Sequence, residues 1–412
     1  MTTTTAAAPA APRTTYRQVL SDPLFRLLFS TRTVAITADS LRITTLSVLV
    51  FATTGSPLLS ALTFGTGFLP QLAGSILLGD LADRIPPRRL IASGYLLSAL
   101  VAAVLALAPL PTAVILLLVA ALALLTPVFS GASARVVAEA LTGDAYVLGR
   151  SLSNMASSGA QLAGLAGGGI AVTLLGPRQA LLVSAAVYLL AATAVRARMA
   201  DLPTPSGNGA GSVLRRSWTA QRALLGNAGI RTMLLAQWLP SGFSAGAEGL
   251  VVAYAGRGGF PAGTVGPLLA CLPVGMLAGD LVVGRFVRPA GRERLAAPLV
   301  LVLGLPLVLF ATDPPPSLSA VLLLVAGAGF AYGLGLQRRF LEALPDESRG
   351  QAFGLLSSGN MTAQGVAPLL FGLLAEVVPV GVAMGTAGVA TLLSALQVRA
   401  ARGANGPGAR AE

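Results

Sequence analysis

Twelve long apolar runs, separated by short turns rich in Gly, Pro, Ser and Arg, dominate the sequence. Each can cross about 30 Å of hydrocarbon at about 1.5 Å of rise per helical residue. In hydrocarbon the backbone must satisfy its own polar groups, and a continuous apolar run of this length does so as a helix. The spans lie near 28–53, 57–79, 90–109, 111–134, 148–175 and 178–196, then near 228–254, 262–284, 294–311, 317–337, 351–375 and 378–398. Composition agrees: 54% of the 412 residues are hydrophobic and 11% charged, and mean hydropathy is +0.76. A soluble domain carries about 25% charge. The expected fold is therefore all-α and integral to a membrane.

The one long polar interval, RARMADLPTPSGNGAGSVLRRSWTAQRALLGN, divides the spans into two sets of six. The division predicts an N-terminal half over 28–196, a cytoplasmic linker over 197–227 and a C-terminal half over 228–398. Residues 1–27, which begin MTTTTAAAPAAPRTT, lack an apolar core and are expected to form a disordered or amphipathic cytoplasmic segment, not a cleaved signal peptide. Residues 399–412 are expected to be a cytoplasmic tail. With both termini inside, 24 of the 28 arginines fall in the termini or in the turns after spans 2, 4, 6, 8 and 10. Arg178 and Arg257 fall in turns on the other side, and Arg32 and Arg42 in span 1. Positive charge stays on the cytoplasmic side, so a multi-pass protein of the cell membrane with both termini inside is expected.

The residues that are missing exclude several chemistries. Lysine and histidine are absent, and Cys271 is the single cysteine. His-dependent acid–base catalysis, a thiolate or imidazole metal site and a disulfide all lack their residues. A nucleotide-binding loop of the G-x-x-x-x-G-K-[ST] kind needs the lysine. An intramembrane enzyme would need a Ser-Lys pair or a two-Asp site, and Asp80 and Asp83 sit together in a turn. The pI near 11.3 comes from small basic clusters between apolar runs, not from one basic face, so nucleic acid is not an expected partner. The use of arginine alone is what a GC-rich genome produces, and a bacterial source is expected. No cofactor or metal is expected.

Two internal echoes join the halves. GDLADR begins at Gly79 after span 2, and GDLVVGR begins 200 residues later at Gly279 after span 8. RVVAEALTGDAYVLGRSLSNM from Arg135 echoes RRFLEALPDESRGQAFGLLSSGNM from Arg338. Duplicated halves around a midplane site are a common architecture of secondary transporters.

The turn GDLADRIPPRRL resembles the signature of the major facilitator superfamily, G-x-L-A-D-R-x-x-R-R, through Gly79, Leu81, Ala82, Asp83, Arg84, Arg88 and Arg89, with Pro86 where many members carry glycine. The resemblance extends over nearly the whole chain. It looks closest to the drug-efflux branch, through DPLFRLLFS before span 1, TTGSPLLSA into span 2 and LPDESRGQAFGLLSS opening span 11. It implies twelve helices in two pseudo-symmetric six-helix halves. It also implies that Asp83 faces the positive end of span 11 near Gly350 and pairs with an arginine, latching the halves on the cytoplasmic side. Glu342, Asp346, Glu347 and Arg349 before span 11, with Glu139 and Asp144 before span 5, are expected to form a cytoplasmic gate with the turn arginines. Orientation alone would also account for the arginines.

Ionisable groups inside spans cost about 2.5–3.5 kcal/mol on insertion scales, so each is a candidate for function. Asp39 and Arg42 in span 1 share a helix face, and either a neutralised structural pair or a transport role accounts for them. Glu248 in span 7 has no basic residue within a turn of it, and a carboxylate at that depth favours its neutral form and suits proton exchange. A position nearer the surface, beside Arg257, is the alternative. GAQLAGLAGGGI in span 5 resembles the antiporter signature g-x-x-x-G-P-x-x-G-G through Gly164, Gly168 and Gly169, with Leu165 in place of the proline; close helix packing accounts for the same residues. Asn154, Gln161, Gln237, Trp238, Asn360 and Gln364, with Phe64 and Phe68, are candidates for a central cavity or for interhelical contacts. The expectation is a monomeric transporter that exports a small amphipathic compound against inward proton flow. A uniporter or importer of the same fold, or a non-transporting sensor or scaffold, are its competitors.

Overall fold

The computed structural model describes residues 15–78, 85–141, 144–202, 221–261, 264–344 and 349–403, and these are helices and turns with no strand among them. Thr15 and Gln18 cap α1 (Tyr16–Ser21) reciprocally, and Asp22 accepts from the Phe25 N–H at 2.7 Å to start α2 (Pro23–Thr54). Two helix-start signals before the apolar run thus order a segment whose composition reads as a tail. Span 1 is α2. Span 2 divides into α3 (Pro57–Gly65) and α4 (Leu69–Leu77), because Pro70 withholds an N–H and Gly67 and Phe68 turn back onto Phe64 and Gly65. Spans 3 to 6 are α5 (Pro87–Leu107), α6 (Thr112–Ala140), α7 (Asp144–Leu175) and α8 (Pro177–Arg198).

In the second set, span 7 divides after α9 (Ala228–Glu248) and resumes as α10 (Val251–Arg257). Then come α11 (Val265–Phe286), α12 (Pro289–Val308), α13 (Pro316–Ala328), the short α14 (Gln337–Ala343), α15 (Arg349–Leu374) and α16 (Val380–Gly403). Short 3-10 turns, Leu309–Thr312 and Gly329–Gly335, extend α12 and α13. Nine helices among the described residues are long and apolar enough to cross a membrane by length and composition. Spans 2, 7 and 11 are the exceptions, and all three lie where the two sets meet.

The span ends differ from the apolar runs by a few residues, as at α6, which continues through the charged RVVAEA to Ala140. The linker's centre, 203–220, and the signature residues Gly79, Leu81, Asp83 and Arg84 lie outside the described residues, as does Asp346. The later copy of the repeated motif, GDLVVGR, lies within α11, which runs on to Phe286, so Asp280 is a helical residue and not a turn residue.

Each set of six packs on itself. The largest apolar cluster draws on α9 to α16 and takes Ala61, with Phe51 packed against it, from the first set, whereas four smaller clusters serve α1 to α8. The sets meet along two seams, α3 against α15 and α7 against α11. At both seams glycines permit backbone contact: a methyl on Gly65 would stand 2.7 Å from the Gly365 oxygen, and one on Gly169 would collide with that of Gly266. Phe64, Leu165 and Ala245 form a small apolar plug across the two sets.

These inter-set contacts lie on one side of the bundle, opposite the face that carries the helix ends Tyr16 and Gly403. On the terminus-bearing face, one ion pair ties the first set to the start of the linker and others lie within a set. Arg88 pairs with Asp201 at 2.8 Å, Arg135 with Glu139 at 3.8 Å and Arg338 with Glu342 at 3.1 Å, while Arg338 and Arg339 both hold Glu293. Among the described residues, one face is therefore sealed and the other parted.

Candidate functional site

A cavity of about 550 Å³ runs from the bundle's middle toward the terminus-bearing face. Its depth is set by the apolar plug, and its walls come from both sets. From the first set come Arg32, Asp39 and Arg42 of α2, Phe64 and Gln71 of span 2, Tyr95 of α5, Gln161 of α7 and Tyr188 of α8. From the second come Ser241, Glu248, Met276, Asp280, Phe330 and Gln364. Aromatic and thioether surface with a few polar groups is what a small-molecule site requires.

Asp39 and Arg42 meet as the helix spacing predicts, with Arg42 Nη2 donating to Asp39 Oδ1 at 2.9 Å. The Tyr188 hydroxyl donates to the same oxygen at 2.6 Å. Ala35, Ala38 and Ala185 bring α2 and α8 close enough for that reach. Arg42 is 4% exposed, and its Nε and Nη1 have no hydrogen-bond partner among the described residues. Asp39→Asn leaves that buried charge without a counter-ion and is expected to cost about 3–5 kcal/mol. Tyr188→Phe removes one donor to that carboxylate and is expected to cost about 1.5–3 kcal/mol. Thermal melting in detergent ranks the two; a larger loss for Tyr188→Phe would contradict this assignment.

Glu248 ends α9, where the chain tightens through Gly249 and Leu250 before α10. No ion pair or hydrogen bond joins its carboxylate among the described residues. It lines the main cavity and also a second cavity of about 10 Å³, the size of roughly one water, with Thr44, Ser47, Phe64 and Leu165. Ser47 Oγ has no hydrogen-bond partner among the described residues. Arg257 stands elsewhere, donating to the Ala375 carbonyl at 3.2 Å on the sealed face.

The other candidates divide. Gln161 and Gln364 line the cavity, but Gln237, Trp238 and Asn360 do not. The Trp238 indole donates to the Leu356 carbonyl at 3.0 Å, the Gln237 carbonyl accepts from Tyr332, and Asn360 accepts from Ser241 at 3.2 Å. The Trp238 and Asn360 bonds join α9 to α15, whereas the Gln237 side chain donates to the Met233 carbonyl of its own helix at 3.3 Å and only its backbone carbonyl meets the Gly329–Gly335 turn. Asn154 lies on α7, and Arg349 and Gly350 open α15. Gly164 and Gly168 pack α7 on α2, with Ser40 Cβ and Leu41 Cα at 2.7 and 3.1 Å from where a methyl would stand. Arg88 also donates to the Arg196 carbonyl, Arg89 is exposed, and Glu342 pairs along its own helix with Arg338.

The sequence reading missed Tyr188, Tyr95 and Asp280. The two tyrosines sit in unbroken apolar runs, where nothing marks the face a ring takes. Asp280 was hidden by its likeness to the turn signature, although a carboxylate in an apolar run was itself a signal.

The sequence profile of the Major Facilitator Superfamily matches residues 28–341. This chain belongs to that superfamily and is a membrane transporter, not an enzyme. Among solved structures, a bacterial homolog of the human lysosomal transporter Spinster, inward-facing and unoccupied, is 14% identical with a TM-score of 0.65, over 92% of this chain and 96% of that one. The nucleoside transporter NupG is 13% identical with a TM-score of 0.67, over 92% and 98%. The xylose transporter XylE from E. coli, inward open, is 13% identical with a TM-score of 0.63, over 90% and 94%. At these identities the likeness is one of fold, and it is to twelve-helix transporters. None of the curated proteins compared with the chain matches its sequence.

Proposed function

We propose that this transporter exports small amphipathic compounds across the cell membrane in exchange for protons, with its termini and the parted face in the cytoplasm. The observation that carries the reading is Glu248, a carboxylate without an ion pair among the described residues, at the break in span 7, facing both the cavity and the pocket beneath the seal. A group so placed can meet substrate on one side and, once the seal parts, protons from the other. The arginine distribution supports the orientation.

The cavity's charges support a substrate class. The first-set wall carries Arg32 and the Asp39–Arg42 pair, while the second-set wall carries, apart from the exchangeable Glu248, Asp280 with no basic residue. Such a wall attracts a cation, and the phenylalanine, tyrosine and methionine surface suits an apolar body; a lipophilic amine has both. The test is accumulation of a fluorescent lipophilic amine in inverted vesicles with an acidic interior, counted as the excess over vesicles lacking the protein because acid alone also traps a base. Uptake that nigericin abolishes is expected, with Asp280→Asn raising KM for the amine at least fivefold but not for a neutral analogue. Uptake only in vesicles of native orientation would overturn the export direction.

A further inference from the structure

We propose that Glu376 is a positioning residue that latches the sealed face, joining the two sets of helices by capping the first turn of α3. Glu376 lies in the turn between α15 and α16, and its partners lie 320 and 318 residues away. The Ser56 hydroxyl donates to Glu376 Oε1 at 2.6 Å, and the Leu58 N–H donates to the same oxygen at 3.2 Å. Ser56 is also the N-cap of α3, accepting from the Leu59 N–H at 3.2 Å, so one hydroxyl serves its own helix and the latch. With Pro57 at the first helical position, Leu58 offers the first free N–H, and a carboxylate there answers both the unfilled donor and the positive end of the helix.

The turn that carries Glu376 is itself held. Backbone bonds tie Ala375 to Phe371, Glu376 to Leu373 and Val377 to Leu374. Arg257, at the end of α10, donates to the Ala375 carbonyl and is the charged group that faces Glu376. Just inside the rim, Gly372 lies against Ala61 and Leu58, where a methyl would stand 2.9 Å from Ala61 Cβ. The latch therefore closes the α3–α15 seam at its outermost point, where parting the sets breaks both bonds at once.

Glu376 is largely exposed, which makes the latch weak and reversible. The Ser56 hydroxyl first, and then the Leu58 N–H and Arg257, hold its carboxyl below the usual carboxylate range. A lowered carboxyl contributes fully above its ordinary value, near 4.3, and loses that contribution as pH falls through the lowered one. At neutral pH the latch is fully charged and only movement breaks it; strong acid releases it chemically.

The test uses the full chain in lipid nanodiscs, with Cys271→Ser and spin labels at Ala52→Cys and Val377→Cys, one on each side of the seam. Electron–electron distance measurement at pH 7 is expected to give mainly short distances in the parent. Glu376→Ala is expected to raise the ratio of long to short distances about two- to fivefold, and Ser56→Ala to raise it less because Leu58 still donates. Lowering the pH below the usual carboxylate range is expected to move the parent toward Glu376→Gln, which should itself change less. The inference rests on the halves rocking about the cavity, and the outcomes separate the two. A single short distance in every variant at both pH values overturns rocking and latch together. A long-distance population present equally in all variants, or a pH response that Glu376→Gln keeps in full, overturns the latch alone.

Discussion

Glu248→Gln is expected to abolish accumulation driven by a pH gradient while leaving downhill exchange of labelled for unlabelled substrate within about threefold of the parent. The amide keeps the side chain's size and polar character in the cavity but cannot release a proton. Accumulation should fall to the level of empty liposomes, since coupling through one group fails when that group cannot change charge. The loss belongs to the coupled step alone because Glu248 forms no ion pair or hydrogen bond among the described residues, so its replacement leaves no orphaned partner. Parallel measurement of gradient-driven uptake and of exchange checks this. If both fall together, Glu248 serves the fold or the substrate, and if neither falls it serves none of the three.

The second large effect is expected at the seam between α7 and α11. Gly169 meets Gly266 backbone to backbone, and a side chain on either collides with the other helix. Gly169→Val should therefore prevent the sealed face from closing while each set of six helices folds normally. Transport turnover is expected to fall at least tenfold, with the melting temperature in detergent nearly unchanged and seam distances shifted to the long population. Gly164→Val is the contrasting variant. Its side chain would press on Ser40 within the same set, so it should lower the melting temperature instead. Equal loss of stability in the two variants would contradict the division between seam and half.

The fold was legible because its signal is long and repeated: twelve apolar runs leave few architectures, and Asp39 and Arg42 at a spacing of three had to share a helix face. What stayed hidden depends on neighbours far away in the chain. Tyr188 is 149 residues from the carboxylate it donates to, and Glu376 is 320 from Ser56, so neither partner is marked by local pattern. The polar residues of spans 7 and 11 look alike in sequence, yet Trp238 finds a backbone carbonyl and turns inward to packing, while Gln364 faces the cavity. Which way such a group points is settled by the hydrogen bond it reaches, and that follows from how the helices are set against each other. The break in span 2 was signalled by Pro70 after Gly67, a pair that the length of the apolar run concealed.

Proton release on substrate binding reports exchange through Glu248. The purified protein, in weakly buffered detergent solution with a pH-sensitive dye, receives a lipophilic amine that is fully charged at the working pH. Acidification that saturates with the amine and disappears in Glu248→Gln is the expected result. Saturable binding without acidification in the parent, or acidification undiminished in Glu248→Gln, would contradict exchange through this carboxylate.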